Sequence, residues 1–467
     1  MGTQKTNTEE QKAIVQDEKK DFNSRTDLIR GNIFTSILLF SIPLLIGNLF
    51  QQLYNTVDSY VVGNYVNTGA LAAVGASASV INMLVGFFMG LSAGAGVVIS
   101  QYFGGGRTED MSDAIHSALA LTALLSVIFT VLGIAFTRPL LRAIGIPDEV
   151  LPHSTLYLTI YFGGITFSLF YNIGAGILRA VGDSKNPLYY LVAACVVNIV
   201  LDFLFVCGFH MGVAGVAIAT VIAQAVSSVM VLYKLMHTRE DYLVELGKIR
   251  FHKHMIGKII AIGFPTALQQ SITSFSNVIV QSYINRFGTA AIAGYSATIR
   301  VDGFLQLTIQ SFSMTIITFV GQNIGAKEYH RVKKGVFAAW LMNSAIILVG
   351  CFAMYFAGAQ LIGIFTKDAE VISNGSMMLR LFSYAYWVLP IIHMLGGALR
   401  GAGKSQVPMY FMLASFVVLR QIYLAVVLPM TNSLVAVMAG WPATWVVCAI
   451  GMVIYYFRVD WLSTADV

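Results

Sequence analysis

Residues 177–187 read ILRAVGDSKNP and residues 398–408 read ALRGAGKSQVP, so that leucine, arginine, glycine, serine and proline coincide at a shift of 221 residues. At the same shift SQYFGGGR, from Ser100, aligns with GQNIGAKE, from Gly321. At nearly that shift SIPLLIG aligns with IGFPTAL, and each of these contains a proline. Several collinear matches indicate that the chain contains two copies of one unit.

The composition identifies the environment of these two units. Of the 467 residues, 57% are hydrophobic and only 11% are charged, whereas soluble chains carry roughly 25% charged residues. A helix that crosses the bilayer needs about 20 mostly apolar residues. Such runs predict twelve spans, at residues 34–62, 70–98, 113–136, 153–177, 188–208, 213–234, 256–284, 291–320, 335–356, 373–398, 407–428 and 435–457.

These runs lack the alternation of a β-barrel strand. We therefore predict an all-α integral membrane protein with twelve transmembrane helices in two six-helix bundles. Because six is even, both bundles insert in the same orientation and are related by a pseudo-twofold axis along the membrane normal. Transporters of this design bind substrate between the two halves. The predicted parts are an N-terminal tail (1–30), an N-lobe (31–234), a linker (235–255), a C-lobe (256–457) and a C-terminus (458–467).

The Lys and Arg residues of the loops predict the orientation in the membrane. If the N-terminus is cytoplasmic, the tail, the even-numbered loops and the C-terminus hold about 22 of the 29 basic residues, and the other side holds about four. We therefore expect a multi-pass protein of the cell membrane with both termini cytoplasmic. Because this bias towards the anionic inner leaflet accounts for the basic charge, we expect membrane lipids and no nucleic acid as partners.

Two acidic residues interrupt the apolar runs of the first half, Asp58 in the first span and Asp202 in the fifth. An ionisable group within a span is costly, so each acid is a candidate functional residue. The alternative is a structural acid that is sealed by a hydrogen-bonded partner. Gln51 and Tyr54 share a helix face with Asp58, and Asn198 shares a face with Asp202.

If these two polar faces meet, two carboxylates share a chamber of low dielectric constant. Both cannot be charged there at little cost, so the pair is expected to bind a proton or a cation. Thr220 in the sixth span and Asn172 in the fourth are candidates for further oxygen ligands or hydrogen bonds. The second half has Gln281 in place of Asp58 and no acid in place of Asp202. Ion coupling is therefore expected in the first half alone.

Pro43 lies 15 residues before Asp58 in the first span. Proline frees a backbone carbonyl and permits a bend in a membrane helix. We therefore predict a kink at Pro43 whose angle responds to the charge on Asp58, and the alternative is a static kink.

The second half offers polar and aromatic candidates for a substrate cavity. They are Gln269, Gln270, Asn277, Tyr295 and His393, and for His393 the alternative is a core histidine with satisfied hydrogen bonds. Other charged residues are interpreted as structural. Buried ion pairing or snorkelling accounts for Arg300, Asp302 and Arg420, and the equivalent positions of Arg179 and Arg400 fit helix termination and loop anchoring.

Residues 30–460 resemble the multidrug and toxic compound extrusion (MATE) family. The resemblance rests on the spacing of Pro43 and Asp58, on Asn198 with Asp202, on Thr220, on the LRA and LRG segments and on GQNIGA at residues 321–326. It implies a twelve-helix antiporter that expels organic cations and other drugs in exchange for protons or sodium. It also implies a cation or proton site in the N-lobe formed by Asp58, Asn172, Asn198, Asp202 and Thr220, with Gln51, Tyr54 and Tyr157 as neighbours.

The presence of both Asp58 and Asp202 resembles the bacterial, DinF-like branch of that family. Members of the NorM type have acids in the seventh and tenth spans, where this chain offers Gln269, Gln270 and His393. A C-lobe sodium site of the NorM type is therefore not expected here.

The sequence thus predicts a secondary antiporter that exports amphiphilic, often cationic, small molecules in exchange for protons or sodium. If sodium is the coupling ion, it is expected to bind at Asp58, Asp202, Asn198 and Thr220. The chain has no GxxxxGK segment followed by Ser or Thr and no HExxH or paired-cysteine motif, so neither enzyme activity nor a cofactor is expected. We expect a monomer.

Two alternatives remain open. One is a flippase for a lipid-linked precursor, which would need a lateral opening and a basic cavity. The other is a channel or a receptor that does not transport.

Overall fold

The computed structural model describes residues 25–66 and 68–462, and the regular structure within these ranges is helical. Residues 1–24 of the predicted tail and residues 463–467 of the predicted C-terminus lie outside the described residues. The first half contains α1 (Ile33–Tyr65), α2 (Thr68–Gly104), α3 (Thr108–Ala143), α4 (Leu151–Ala180), α5 (Lys185–Asp202), which continues as a π-helical segment (Phe203–Gly208), and α6 (Gly212–His237).

The second half follows a linker with one 3-10 turn (Leu246–Lys248). It contains α7 (Lys253–Ile284), α8 (Thr289–Gly325), α9 (Tyr329–Phe356), the short α10 (Gly358–Gly363), α11 (Ala369–Ser383), α12 (Leu389–Gly401), α13 (Gln406–Met412), α14 (Arg420–Thr431) and α15 (Leu434–Arg458). Two 3-10 turns (Asn285–Phe287 and Tyr386–Val388) and a π-helical segment (Leu413–Leu419) connect neighbouring helices.

Within the described ranges, ten helices are long and apolar enough to cross a membrane, and α11 with α12 forms an eleventh span bent by 42°. The predicted tenth span is therefore a broken one. Pro390, which has no N–H to donate, lies in the first turn of α12 just after the break. The predicted seventh span falls on α7, which has 32 residues, carries Gln269 and Gln270 in its middle and is not among these eleven. These polar residues make it less apolar than the others.

Two hydrophobic cores correspond to the two lobes. The N-lobe core includes Val61 on α1 and Ile259 on α7, whereas the C-lobe core includes Ile37 on α1 and Ile284 on α7. Both α1 and α7 therefore begin in the core of one lobe and end in the core of the other. The first turns of these two helices therefore bury their apolar faces in the core opposite to that of their last turns. The predicted lobe boundaries, which assign each helix whole to one lobe, stay a prediction.

The lobes approach each other most closely where α2 runs along α7 and α8. Gly94 of α2 faces Gly263 of α7, and a Cβ atom at Gly94 would lie 2.5 Å from the Gly263 nitrogen. Gly104 of α2 is placed in the same way against the backbone of Gln322 on α8. Glycine is required at both contacts because any side chain would collide with the backbone of the facing helix.

Two glutamines related by the repeat connect the lobes, and we call them the interlobe glutamine pair. The Gln101 side-chain amide donates to the carbonyl oxygen of Gly401 at 2.9 Å, and that of Gln322 donates to the carbonyl oxygen of Ala180 at 2.7 Å. Both carbonyls belong to the last residues of helices, where no intrahelical donor remains. Each lobe thus donates a hydrogen bond to a free carbonyl oxygen at a helix end of the other lobe.

Residues 25–31 lie across this same end of both lobes. The Thr26 amide donates to the carbonyl oxygen of Gly182 in the N-lobe at 3.0 Å. The guanidinium of Arg331 in the C-lobe donates to the carbonyl oxygen of Gly31 at 2.8 Å. The end of the molecule that carries the N-terminal segment is therefore the end at which the lobes are joined.

Candidate functional site

Asp58 and Asp202 come together inside the N-lobe. Asp58 lies on α1 and Asp202 is the last residue of α5, and only 5% and 0% of their surfaces are exposed. The Asp58 side chain faces those of Asp202, Asn198 and Thr220. Three helices, α1, α5 and α6, therefore bring these four residues together, and we call them the acid cluster.

Most polar atoms of the acid cluster have no hydrogen-bond partner among the described residues. These atoms are one carboxylate oxygen of Asp58, both of Asp202 and both amide atoms of Asn198. Each buried polar atom without a partner costs about 1–3 kcal/mol. A structural acid would instead be sealed by hydrogen bonds, so this finding counts against the structural alternative. Two unsealed carboxylates can share a proton or bind a small cation.

The backbone next to the acid cluster is irregular. A π-helical segment (Phe203–Gly208) begins directly after Asp202, and another (Leu413–Leu419) ends directly before Arg420 in the second half. Such segments widen one turn of a helix and are frequent at functional sites. The local sequence gives no sign of either segment, because both consist almost entirely of apolar residues that also fit a regular helix.

Two tyrosines border the acid cluster. Tyr157 on α4 is buried, and the Tyr54 hydroxyl on α1 is inaccessible and has no hydrogen-bond partner among the described residues. Both phenol groups approach Thr220, whose own hydroxyl donates to the Val216 carbonyl oxygen at 2.9 Å. Gln51, predicted as a third neighbour, is exposed. Gln51 lies seven residues before Asp58, which is about two helical turns away along α1. At that distance its side chain is not part of the buried acid cluster.

The structure places Asn172 apart from the acid cluster. Its side-chain amide donates to the Ser168 carbonyl oxygen of its own helix at 2.8 Å. It lines a small cavity of about 50 Å³ together with Ser92 and Arg179. On α4 it is Tyr157, rather than Asn172, that approaches Thr220, and a role of Asn172 in ion binding stays a prediction.

The donor set of the acid cluster fits a proton or a sodium ion better than a transition metal. In the part of the chain that the structure describes, no three His, Cys, Asp or Glu side chains are placed so that they could hold a metal ion together. The available ligands are carboxylate, amide and hydroxyl oxygens, which are the ligands that hard cations prefer.

Pro43 is buried within α1, and the helix is unbroken from Ile33 to Tyr65. The charge-dependent kink at Pro43 stays a prediction.

The second half contains a cavity of about 440 Å³ at the boundary between the lobes, which we call the C-lobe cavity. It is lined by the five second-half residues predicted for a substrate cavity, namely Gln269, Gln270, Asn277, Tyr295 and His393. The three first-half candidates for that cavity, Gln51, Tyr54 and Tyr157, do not line it. Aromatic side chains of α11, α15 and the π-helical segment form much of its apolar wall, namely Phe382, Phe416, Trp441 and Trp445. This size and this mixture of apolar wall and few polar groups are typical of sites for drug-sized molecules.

Three charged residues that the sequence analysis interpreted as structural also line this cavity. They are Asp302, Arg400 and Arg420. Arg400 is not a loop anchor: it is 8% exposed, and its guanidinium donates to the Gln269 side-chain oxygen at 2.8 Å. Asp302 and Arg300 do not form an ion pair, because Arg300 is exposed and lies over the Phe365 ring. Sequence position alone suggested helix ends facing water, whereas α12 turns Arg400 into the interior.

Outside the spans, the turn between α4 and α5 contains the buried Asp183. This carboxylate accepts hydrogen bonds from the Lys185 amide at 3.2 Å, the Asn186 amide at 3.0 Å and the Asn186 side chain at 2.5 Å. Burial raises the pKa of Asp183, and the bonds from Asn186 oppose that shift. Asp183 thereby fixes the start of α5, the helix that carries Asp202.

A duplicated bundle of membrane helices, with buried acids in one half and a cavity between the halves, defines the class of helical membrane transporters. A profile of the MatE family matches the chain twice, over residues 43–204 and 265–426. The chain therefore belongs to the multidrug and toxic compound extrusion (MATE) family. The two matches begin at Pro43 and Pro265, and they confirm the internal duplication.

Curated relatives and solved structures agree with this assignment. The probable multidrug resistance protein YpnP of Bacillus subtilis (strain 168) is 30% identical over 395 residues, which are 84% of this chain and 88% of the relative. The multidrug export protein MepA of Staphylococcus aureus (strain MSSA476) is 23% identical over 382 residues, which are 81% of this chain and 83% of the relative. A structure of an outward-facing multidrug resistance MATE family transporter covers 95% of this chain and 98% of its own, with a TM-score of 0.87 and 24% identity. The last likeness shows the twelve-helix, two-lobe fold.

Proposed function

We propose that this protein is a secondary active antiporter of the cell membrane. It exports small amphiphilic, often cationic, molecules in exchange for protons or sodium ions that bind at the acid cluster. Both termini face the cytoplasm. The relatives named as multidrug export and multidrug resistance proteins support this substrate class.

The observation that carries the proposal is the buried pair Asp58 and Asp202, three of whose four carboxylate oxygens have no hydrogen-bond partner among the described residues. If the pair had only a structural role, its unpaired buried oxygens would destabilise the folded protein by several kcal/mol. If the pair instead binds an ion in each transport cycle, the bound ion offsets this cost. Asp58 lies on α1, whose two ends belong to the cores of different lobes, so a change of charge at Asp58 acts on the helix that joins the lobes.

The test is export of a fluorescent organic cation from vesicles that contain the purified protein. Proton and sodium gradients are imposed separately, and the direction of dye movement is compared with the direction of its own gradient. Movement of the dye against its gradient, driven by one of the two ions, supports the antiporter and excludes a channel or a receptor. Dye movement that only follows its own gradient contradicts the proposal.

The alternative of a flippase for a lipid-linked precursor has one observation in its favour. Such a protein would need a basic cavity, and the C-lobe cavity contains Arg400 and Arg420. The acid cluster and the multidrug relatives favour the antiporter. A lipid-scrambling assay in the same vesicles discriminates between the two, because the antiporter does not accelerate transfer of a labelled lipid between leaflets.

A further inference from the structure

The C-lobe cavity contains two arginines that are surrounded by neutral groups. Arg400 and Arg420 are 8% and 3% exposed. In the part of the chain that the structure describes, neither guanidinium has a carboxylate within 4.0 Å. Arginine keeps its charge in essentially every protein environment. The cavity therefore holds two buried positive charges without a paired negative charge.

The hydrogen bonds of these arginines go only to uncharged acceptors. Arg420 donates to the Thr444 hydroxyl at 3.1 Å and to the Asn277 side-chain oxygen at 3.5 Å. Arg400 donates to the Gln269 oxygen at 2.8 Å, while its Nε has no partner among the described residues. A guanidinium carries five N–H donors, so donors remain for a ligand at both residues.

The titratable groups that face the cavity leave it with an excess of positive charge. They are Asp302, His393, Arg400 and Arg420, together with Tyr295. Even if Asp302 is ionised and His393 is neutral, the guanidiniums outnumber the carboxylate by two to one. Among the described residues Asp302 forms no ion pair with Arg400 or Arg420, and one of its oxygens has no hydrogen-bond partner, so this carboxylate does not neutralise either arginine by direct contact.

The apolar part of the cavity lies next to the charged part. The Arg420 guanidinium lies over the Trp441 ring at 5.0 Å and over the Phe416 ring at 5.4 Å. A ligand that reaches Arg420 therefore also contacts flat aromatic surface. Because a carboxylate is the natural bidentate partner of a guanidinium, the matching ligand has an acidic group attached to an aromatic or amphiphilic body.

We propose that the C-lobe cavity binds an acidic group of the substrate through Arg400 and Arg420, so that aromatic amphiphiles bearing a carboxylate are preferred over the same molecules without one. This inference rests on the proposed function, because it names the substrate class of the transporter. The two lobes then have different roles. The acids of the N-lobe bind the coupling cation, and the arginines of the C-lobe bind the anionic end of the substrate.

The experiment compares a carboxylate-bearing rhodamine with its methyl ester, which has the same ring system but no acid. Binding of both dyes to the purified full-length protein is measured by fluorescence anisotropy in chloride-free buffer without any ion gradient. Because a hydrogen-bonded charge pair contributes enough to change affinity by about tenfold, the acid should bind about tenfold more tightly than the ester. Equal affinities in the unmodified protein would overturn the proposal.

Substitution of the arginines tests whether they cause the preference for the acid over the ester. Arg420→Gln and Arg400→Gln should each weaken binding of the acid and leave binding of the ester within about twofold, whereas Arg420→Lys should keep part of the preference. Asp302→Asn should strengthen binding of the acid, because it removes a like charge. Arg300→Gln is the matched control, since Arg300 is exposed and does not line the cavity. Equal losses for both dyes in the two glutamine variants would refute the assignment.

The outcome is separable from that of the antiporter test. If the dyes bind equally but the ester is exported against its gradient, the acid-binding role is wrong and the antiporter stands. If the acid is preferred but no ion gradient drives export of either dye, the antiporter is wrong and the binding preference stands as a property of the cavity alone.

Discussion

Removal of the interlobe glutamine pair should open the joined end of the molecule. Gln101 and Gln322 each make one neutral N–H···O=C hydrogen bond across the boundary, at 2.9 and 2.7 Å. A bond of this kind contributes about 1 kcal/mol net. Replacing both residues with leucine should therefore destabilise the joined state by about 2 kcal/mol, which raises the ratio of open to joined molecules about thirtyfold. Each single replacement should raise it about fivefold.

The assay is alkylation of a cysteine placed at the boundary. Ser100 is fully buried, and its hydroxyl lies against Gly321 of the other lobe, so Ser100→Cys should react only when this end opens. The native cysteines Cys195, Cys207, Cys351 and Cys448 are all free and are replaced by serine or alanine in the background protein. When opening and closing are fast, the alkylation rate follows the population of the open state.

Gln52→Leu serves as the control, because Gln52 is exposed on α1. It should leave the alkylation rate unchanged. An alkylation rate in the Gln101→Leu, Gln322→Leu double variant within about twofold of the background protein would refute the idea that these bonds hold the lobes together. A double variant that reacts no faster than either single one would show that the two bonds do not act independently.

Two further predictions concern packing and capping. Gly94→Val should separate α2 from α7 and abolish export, because a Cβ atom at Gly94 meets backbone, whereas Gly86→Val has open space and should be tolerated; vesicle export measures both. Asp183→Ala should lower the free energy of unfolding by about 1 kcal/mol in denaturant titrations, and Asp183→Asn should lower it less. Burial raises the pKa of Asp183. The contribution of Asp183 to the free energy of unfolding is therefore greatest below its unfolded pKa and falls as pH rises through its folded pKa. The stability lost in Asp183→Asn, relative to the unmodified protein, should accordingly become smaller at higher pH.

The sequence predicted the elements of the fold that depend on apolar runs and on the repeat. Each of the twelve predicted spans falls on a helix or on a bent or π-helical continuation of one, and eleven of them are apolar enough to cross a membrane. The alignment that pairs Gln101 with Gln322 anticipated the equivalent positions of these two residues. It did not predict that they bond across the boundary, because a repeat relates two lobes without saying where they touch. The crossing of α1 and α7 was missed for the same reason, since apolar periodicity does not identify which core a helix turn enters.

The candidate site was predicted best where polar residues stand out against lipid-facing sequence. Asp58 and Asp202 interrupt apolar runs, and they come together in the structure. Arg400 was misread because the ends of spans ordinarily face water, and only the three-dimensional path of α12 turns it into the cavity. Arg420 follows a π-helical segment whose apolar sequence gives no warning that the helix is wider there.

The most direct test of the central claim is ion-driven export by the variants Asp58→Asn and Asp202→Asn. Each variant is reconstituted in vesicles and tested with the proton gradient and the sodium gradient separately, after its folding and insertion have been checked by thermal unfolding. We predict that both variants insert and unfold like the unmodified protein but export the dye no faster than vesicles without protein, under either gradient. Full ion-driven export by both variants would contradict the claim that coupling resides in the acid cluster.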